Sequence, residues 1–240
     1  MRLYRDQGVV LRTIKLGEAD RIVTVFTLGH GKVRAVAKGI RKTTSKFGAR
    51  LEPASNVALQ CYRGRDLDIV TQAETIDANR ALREGYGLLT HAVPMLEAVD
   101  QVAQEREPNP ALYRMLVGGL RTLGEWRTPL VTPAFFWKLL SLEGFHPLLD
   151  GCARCGDAIE VRARVVFDLS EGGVLCDTCA RAGGRPVSGA AIALLSRILG
   201  GGLRAALAEP TGPETSEVEH LALSVLEHHL ERRLRSAALL

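Results

Sequence analysis

The chain has 240 residues, 46% of them hydrophobic and 24% charged, the composition of a folded globular protein rather than a disordered or fibrous one. Its net charge of +4 is unevenly spread: residues 1–80 carry 15 Lys and Arg against 8 Asp and Glu, and residues 81–240 carry 16 against 19, so one end suits a polyanion. No run approaches the ~20 apolar residues that would cross a bilayer. Arg2, Arg5 and Asp6 stand where a secretory signal needs an apolar run. The chain is therefore expected in the cytoplasm, with its five cysteines as reduced thiols or metal ligands.

Residues 8–14 and 21–27 are rich in β-branched side chains, and Gly29 and Gly31 can supply the positive φ of a hairpin turn after the second. Residues 32–38 alternate polar with apolar, the period of a half-buried strand. Two more strands, 57–62 and 67–74, flank a turn at 63–66. Five strands in this length fit a small closed barrel; the OB fold is such a barrel and binds nucleic acid, and an SH3-like barrel fits nearly as well.

From about Asn79 the period becomes helical. Residues 81–102 place Leu82, Tyr86, Leu89, Val93, Leu96 and Val99 three and four apart, with Pro94 expected to bend or split the helix. Pro108 and Pro110 open a second helix over 111–126, and Thr132-Pro133 a third over 134–143 whose Phe135, Phe136 and Trp137 read as core. A loop-rich insertion fills 150–184. A helix follows over 188–199, capped by Ser188 and broken by Gly200 to Gly202. The last helix runs from Pro213 to about Arg235, with Glu214, Glu217 and Glu219 at its start and Arg232, Arg233 and Arg235 at its end, opposing the helix dipole. The expected fold class is α+β and multidomain: an OB-fold β-barrel over 1–78, then an all-helical domain over 79–240 with an embedded four-cysteine zinc module at 150–184.

Cys152 and Cys155 form one CxxC pair, and Cys176 and Cys179 form another after twenty intervening residues. This is zinc-ribbon spacing. Each two-residue gap lets both thiolates of a pair face one ion, and Gly151 and Gly156 supply flexible backbone. Four sulfurs complete a tetrahedral Zn²⁺ site at about 2.3 Å and leave no open position for a catalytic water. A redox CxxC usually stands alone at a helix N-terminus. The reading is one structural Zn²⁺ per chain, with a connecting strand over 161–169. Cys61 reads as a small buried residue.

Between Asp20 and Glu52 there is no acidic residue, while Arg21, Lys32, Arg34, Lys38, Arg41, Lys42, Lys46 and Arg50 all fall in that interval. Its middle, 39–48, is small, hydroxylated and basic, and reads as a mobile loop that tracks a phosphate backbone. Tyr4, Phe26, Phe47 and Tyr62 are the only aromatics nearby, so phosphate contacts are expected to outweigh base stacking. The candidate DNA contacts are Arg34, Lys38, Arg41, Lys42, Lys46 and Arg50. A second dense group of arginines comprises Arg154, Arg162, Arg164, Arg181 and Arg185. No nucleophile–base arrangement, phosphate-gripping glycine loop or carboxylate pair is visible, so the chain does not read as an enzyme. His228 and His229 read as surface.

Several stretches together resemble the bacterial RecO family: Gly8-Val9-Val10-Leu11, Gly17 to Val23, Phe26-Thr27, Gly29 to Gly31, Val36 to Lys42, Leu51-Glu52-Pro53, and Glu143 to Pro147 ahead of Cys152. The resemblance implies an N-terminal OB fold, a helical domain and a zinc module. It implies a DNA-repair mediator that binds single- and double-stranded DNA, anneals complementary strands, works with RecR, engages single-stranded-DNA-binding protein and helps load the RecA recombinase. The metal rests on this chain's own cysteine spacing. An acidic, apolar tail of single-stranded-DNA-binding protein would need an apolar groove rimmed by cations, for which Arg121, Arg127, Phe136 and Lys138 are the candidates. Other classes that use the same residues are an RNA- or transcription-associated zinc-ribbon and OB protein, and an accessory domain of a zinc-containing nucleic-acid enzyme.

Overall fold

The computed structural model describes residues 2–85, 87–159 and 163–240. Tyr86, Val161 and Arg162, which enter the sequence reading, lie outside the described residues. Two compact units are present, one of residues 1–127 with 238–240, the other of residues 128–237. The change of period in the sequence falls earlier, at Asn79.

The first unit is built on five strands: β1 (Leu3–Leu16), β2 (Asp20–Thr27), β3 (Gly31–Ala37), β4 (Asn56–Tyr62) and β5 (Asp68–Asp77). They close in the order β1-β2-β3-β5-β4, with β3 and β5 parallel and the other pairs antiparallel. This is the five-stranded Greek-key closure of an OB-like barrel. Strand β1 starts earlier than its β-branched run because residues 3–9 pair with β4 while 8–16 pair with β2. A register shift between Val10 and Arg12 bends the strand where it passes from one partner to the other. Val10, Val23, Val25, Val33, Ala35, Val57, Leu59 and Val70 fill the interior.

Helices α1 (Arg80–Glu84), α2 (Leu88–Val102) and α3 (Pro110–Trp126) cluster with this barrel, α2 and α3 packing against β1. The expected 81–102 helix is divided, but at Gly85 to Gly87 rather than at Pro94, which α2 carries inside it. Gly87 takes a left-handed φ of 79° at the N-cap of α2, a conformation glycine adopts freely. Pro94 is buried, and the packing of α2 outweighs the lost backbone bond. Asn109 caps α3, its Oδ1 accepting the Leu112 N–H at 3.0 Å.

The second unit holds α4 (Val131–Leu142), a three-stranded antiparallel sheet of β6 (Arg164–Asp168), β7 (Gly173–Leu175) and β8 (Arg185–Ser188) in the order β7-β6-β8, and then α5 (Gly189–Leu199), α6 (Leu203–Leu207) and α7 (Pro213–His229). Helix α4 starts at Val131, so Thr132 and Pro133 sit inside its first turn instead of opening it. Its burial is nearly complete, Trp137 meeting Phe167 of the sheet edge-on at 6.4 Å between ring centroids. Ser188 caps α5 as expected, accepting the Ala191 N–H at 3.1 Å. Helix α7 stops at His229 because Glu231 turns left-handed, with φ 51°. Arg232, Arg233 and Arg235 therefore lie beyond it, and His228 and His229 occupy its last turn. No helix among the described residues is long and apolar enough to cross a membrane.

Candidate nucleic-acid interface and metal centre

The basic segment joins β3 to β4 and is pinned at three points. Ile40, Phe47 and Leu51 turn inward and join the barrel core, Phe47 and Leu51 being essentially inaccessible. Beside and between these anchors Lys38, Arg41, Lys42, Lys46 and Arg50 are exposed. The loop expected to be mobile thus alternates apolar anchors with outward cations along the barrel rim.

Three of those cations are tied to backbone. The Arg41 guanidinium donates to the Glu18 and Gly17 carbonyl oxygens at 2.8 and 3.3 Å, lashing the loop to the β1–β2 turn. Lys46 Nζ donates to the Thr71 carbonyl oxygen on β5 at 2.8 Å and lies 5.2 Å from the Phe47 ring centroid. Arg50 donates to the Lys46 and Phe47 carbonyls at 2.8 and 3.3 Å. The side chains of Lys38 and Lys42 have no hydrogen-bond or ion-pair partner among the described residues. Asp20, at the start of β2, is turned to the backbone, accepting the Gly39 N–H at 2.7 Å. Arg34 differs from the rest: it faces Glu105 at 4.0 Å.

The segment after α2 explains that difference. Residues 104–106 lie along the start of β3, the Lys32 N–H donating to the Gln104 oxygen and the Arg106 N–H to the Lys32 oxygen. The fit is close enough that a Cβ on Gly31 would collide with the Glu107 backbone. Lys32 is neutralised by Asp100. The lower half of β3 is thereby covered, and its cations are partnered. Of the four aromatics near the basic segment, Phe26 and Phe47 are buried, and Tyr4 is bonded inward; Tyr62, 40% exposed, is the one on the surface.

Sequence reasoning did not single out the group that locks this segment in place. Asp68 is fully buried at the start of β5 and accepts from Tyr4 Oη at 2.5 Å, Arg106 Nη2 at 2.8 Å and the Gly64 N–H at 2.9 Å. Burial pushes its carboxyl up, but the Arg106 guanidinium, Tyr4 and the Gly64 amide outweigh that and hold it below the usual carboxylate range. Tyr4 and Cys61 move the other way, desolvation raising both, Cys61 to about 12. The available signal was the two-residue period, which puts Asp68 on the inward face with Val70.

In the second unit the four cysteines converge. Cys152, Cys155, Cys176 and Cys179 bring their sulfurs within 4.8 Å of one another. Cys155 and Cys176 Sγ are 3.7 Å apart, against an edge of about 3.8 Å for a tetrahedron with 2.3 Å metal–sulfur arms. The Gly156 N–H bonds back to the Cys152 oxygen and the Ala180 N–H to the Cys176 oxygen, closing two similar knuckles. Backbone N–H groups, that of Cys176 first, hold the Cys152 thiol down at about 6. Cys155 rises to about 12, the downward pull of the Asp157 amide being outweighed by the adjacent Cys152 sulfur and by desolvation. Four negative sulfurs at this spacing are compatible only around a cation, so the donor set fits a metal ion. Arg154 braces the site, donating to Glu171 and to the Cys179 oxygen.

Of the residues expected to capture an acidic tail, the aromatic one is core. Phe136 is 1% exposed, and Phe135 and Trp137 are likewise core. Lys138 is exposed on α4, Arg121 is exposed on α3, and Arg127 takes a left-handed φ of 52° at the end of α3.

Two family models match the chain, "Recombination protein O N terminal" over residues 1–79 and "Recombination protein O C terminal" over residues 83–238. The DNA repair protein RecO of Nocardioides sp. (strain ATCC BAA-499 / JS614) is 44% identical over 241 residues, covering 98% of each chain.

Proposed function

The chain belongs to the recombination protein O family of DNA repair proteins, and from that footing we propose that it is a non-enzymatic mediator that binds and anneals single-stranded DNA through the rim of its barrel. The carrying observation is the pinned loop. Apolar anchors at Ile40, Phe47 and Leu51 hold Lys38, Arg41, Lys42 and Lys46 outward in one exposed band. Arg50 supports the band from the second turn of the loop, and Arg34, shared with Glu105, contributes less. Such a band neutralises phosphates without regard to sequence, and releasing their counterions makes binding steeply salt-dependent.

Annealing asks the protein to bring two polyanions together and then let go of the bases. A surface that grips phosphates meets that requirement with no nucleotide hydrolysis. Within the family's pathway this activity would be exercised on DNA covered by single-stranded-DNA-binding protein, together with RecR, ahead of RecA loading in the cytoplasm. In the second unit, Cys152, Cys155, Cys176 and Cys179 would hold one structural Zn²⁺, which links the two knuckles and leaves no position for substrate.

The test is ATP-free annealing of complementary strands by the full chain. Wild type should accelerate it, and the Arg41→Ala, Lys42→Ala variant should lose most of that acceleration while still melting as a folded protein. An equally active double variant would move the DNA site off the barrel rim.

A further inference from the structure

A water-exposed barrel normally turns polar side chains outward along each strand. One cross-strand row here does the reverse. Ile14 pairs with Ile22, Ile22 with Val36, Val36 with Ile69, and Ile69 with Tyr62, in unbroken register from β1 through β2, β3 and β5 to β4. The inward positions on either side are occupied by Val23, Ala35, Ala37, Cys61 and Val70 of the core, so the period of two turns every member of the row outward. Ile14 is 46% exposed and Tyr62 40%, while Ile22, Val36 and Ile69 are half-buried. With neighbouring strands about 4.8 Å apart, the row crosses roughly 19 Å of the barrel's outer surface.

The row lies directly below the basic rim. Lys38 follows Val36 by two positions, one residue past the end of β3. Arg41 is lashed to the turn that joins the strands of Ile14 and Ile22, and Lys46 is held at Thr71, two residues beyond Ile69. Lys38, Arg41 and Lys46 are thus each tied to a strand or turn that carries a member of the row. We propose that this row is the base-contacting surface for single-stranded DNA, the rim taking the phosphates while unpaired bases lie face-down on Ile14, Ile22, Val36, Ile69 and Tyr62. This rests on the reading that the barrel rim binds DNA and adds which part of a nucleotide meets which part of the barrel.

Charge complementarity selects this occupant, since the cations that border the row demand an anionic partner whose apolar parts sit one short step from its charges. An unpaired nucleotide has that form. A duplex does not, because its base faces are stacked inside. Aliphatic side chains also touch base faces without hydrogen-bonding to base edges, so a strand held here keeps its Watson–Crick edges free to pair.

The test compares three probes by fluorescence anisotropy with the full chain: an oligothymidylate, an abasic strand of the same length, and a duplex. Wild type should bind the abasic strand about tenfold more weakly than the oligothymidylate. The Ile22→Thr, Val36→Thr variant, which keeps β-branched side chains on both strands, should lose that difference and leave duplex affinity unchanged. Equal binding of abasic and normal strands by wild type would overturn the proposal, and needs no variant to fold. So would a variant weakened equally toward single strands and duplex, or a variant unchanged toward all three, which would assign the row to another partner. The Arg41→Ala, Lys42→Ala variant should weaken all three probes, so failure of the rim and failure of the row read out separately.

Discussion

Two long irregular segments carry the proposed DNA and metal contacts of this protein, and they are held in different ways. The β3–β4 loop is fixed by Ile40, Phe47 and Leu51 dropped into the barrel core. The knuckles are held at their sulfurs: Cys152 is buried, Cys155 exposed, Cys176 and Cys179 half-exposed, and all four sulfurs converge. Apolar anchoring leaves the polar side chains between the anchors available for a ligand. Sulfur anchoring uses the polar groups up. If the loop binds DNA and the knuckles hold shape, as proposed, the two should fail under different insults.

The largest effect is expected from removing the metal. Structural zinc sites of this kind contribute about 10–16 kcal/mol of apparent binding free energy near neutral pH. A chelator, or Cys176→Ser, should release one zinc per chain and lower the melting temperature, with DNA affinity of the barrel retained. Metal analysis of the purified protein together with a melt checks both halves. A chain that binds no zinc when prepared without chelator would break the comparison at its root.

Phe47→Ala is the matching insult to the loop. Emptying a fully buried phenylalanine site costs about 3–5 kcal/mol, and here it also frees the segment that holds Lys46 and Arg50. Denaturant unfolding should show the loss, DNA affinity should fall with it, and zinc content should stay at one. If affinity held while stability dropped, the cations would not depend on the anchors for their placement.

Much of this was legible in the sequence, for identifiable reasons. The strands showed because their β-branched runs alternate, and the four-cysteine cluster because CxxC spacing states its own geometry. Other features depended on packing that local pattern does not record. Leu3 to Gln7 are too polar to announce a strand, yet β4 pairs with them. Pro94 looked like a helix breaker, but burial of α2 overrides it. Arg34 looked like its neighbours until Glu105, seventy-one residues on, came to lie beside it. The apolar row has no signature along any one strand, because each strand contributes a single residue and only the register assembles them.

Asp68 tests a third way of holding the barrel end, by charge. Removing one partner of a buried ion pair strands the other, so Asp68→Asn should cost roughly 2–3 kcal/mol, at or just below the usual range of about 3–5 because Arg106 keeps some solvent. The folded carboxyl titrates below its unfolded value of about 3.9. Its contribution is therefore complete above that value and disappears as pH falls through the lower, folded one. Wild type should lose stability relative to Asp68→Asn only in this acid window, which parallel melts across pH would reveal.

The smallest effect separates cations within the loop. The Lys42 side chain has no partner among the described residues, whereas Arg50 already donates to two carbonyl oxygens of its own loop. An unpartnered ammonium can turn to a phosphate at no structural cost. A guanidinium with two internal bonds meets a phosphate only with its remaining N–H groups, or by giving those bonds up. Each full phosphate contact adds about 0.9 to the slope of log K against log salt on duplex DNA and about 0.7 on single strands. Lys42→Ala should therefore flatten the slope by close to those amounts, and Arg50→Ala by distinctly less, although both remove one charge. Arg41, tied to the Gly17 and Glu18 oxygens, should fall between them. If all three variants flattened the slope equally, charge alone would govern the rim and the hydrogen bonds that orient it would be irrelevant to binding. If Arg50→Ala exceeded Lys42→Ala, the loop's internal bonds would be placing the guanidinium for a phosphate, and the loop would be a preorganised site rather than a band of independent charges.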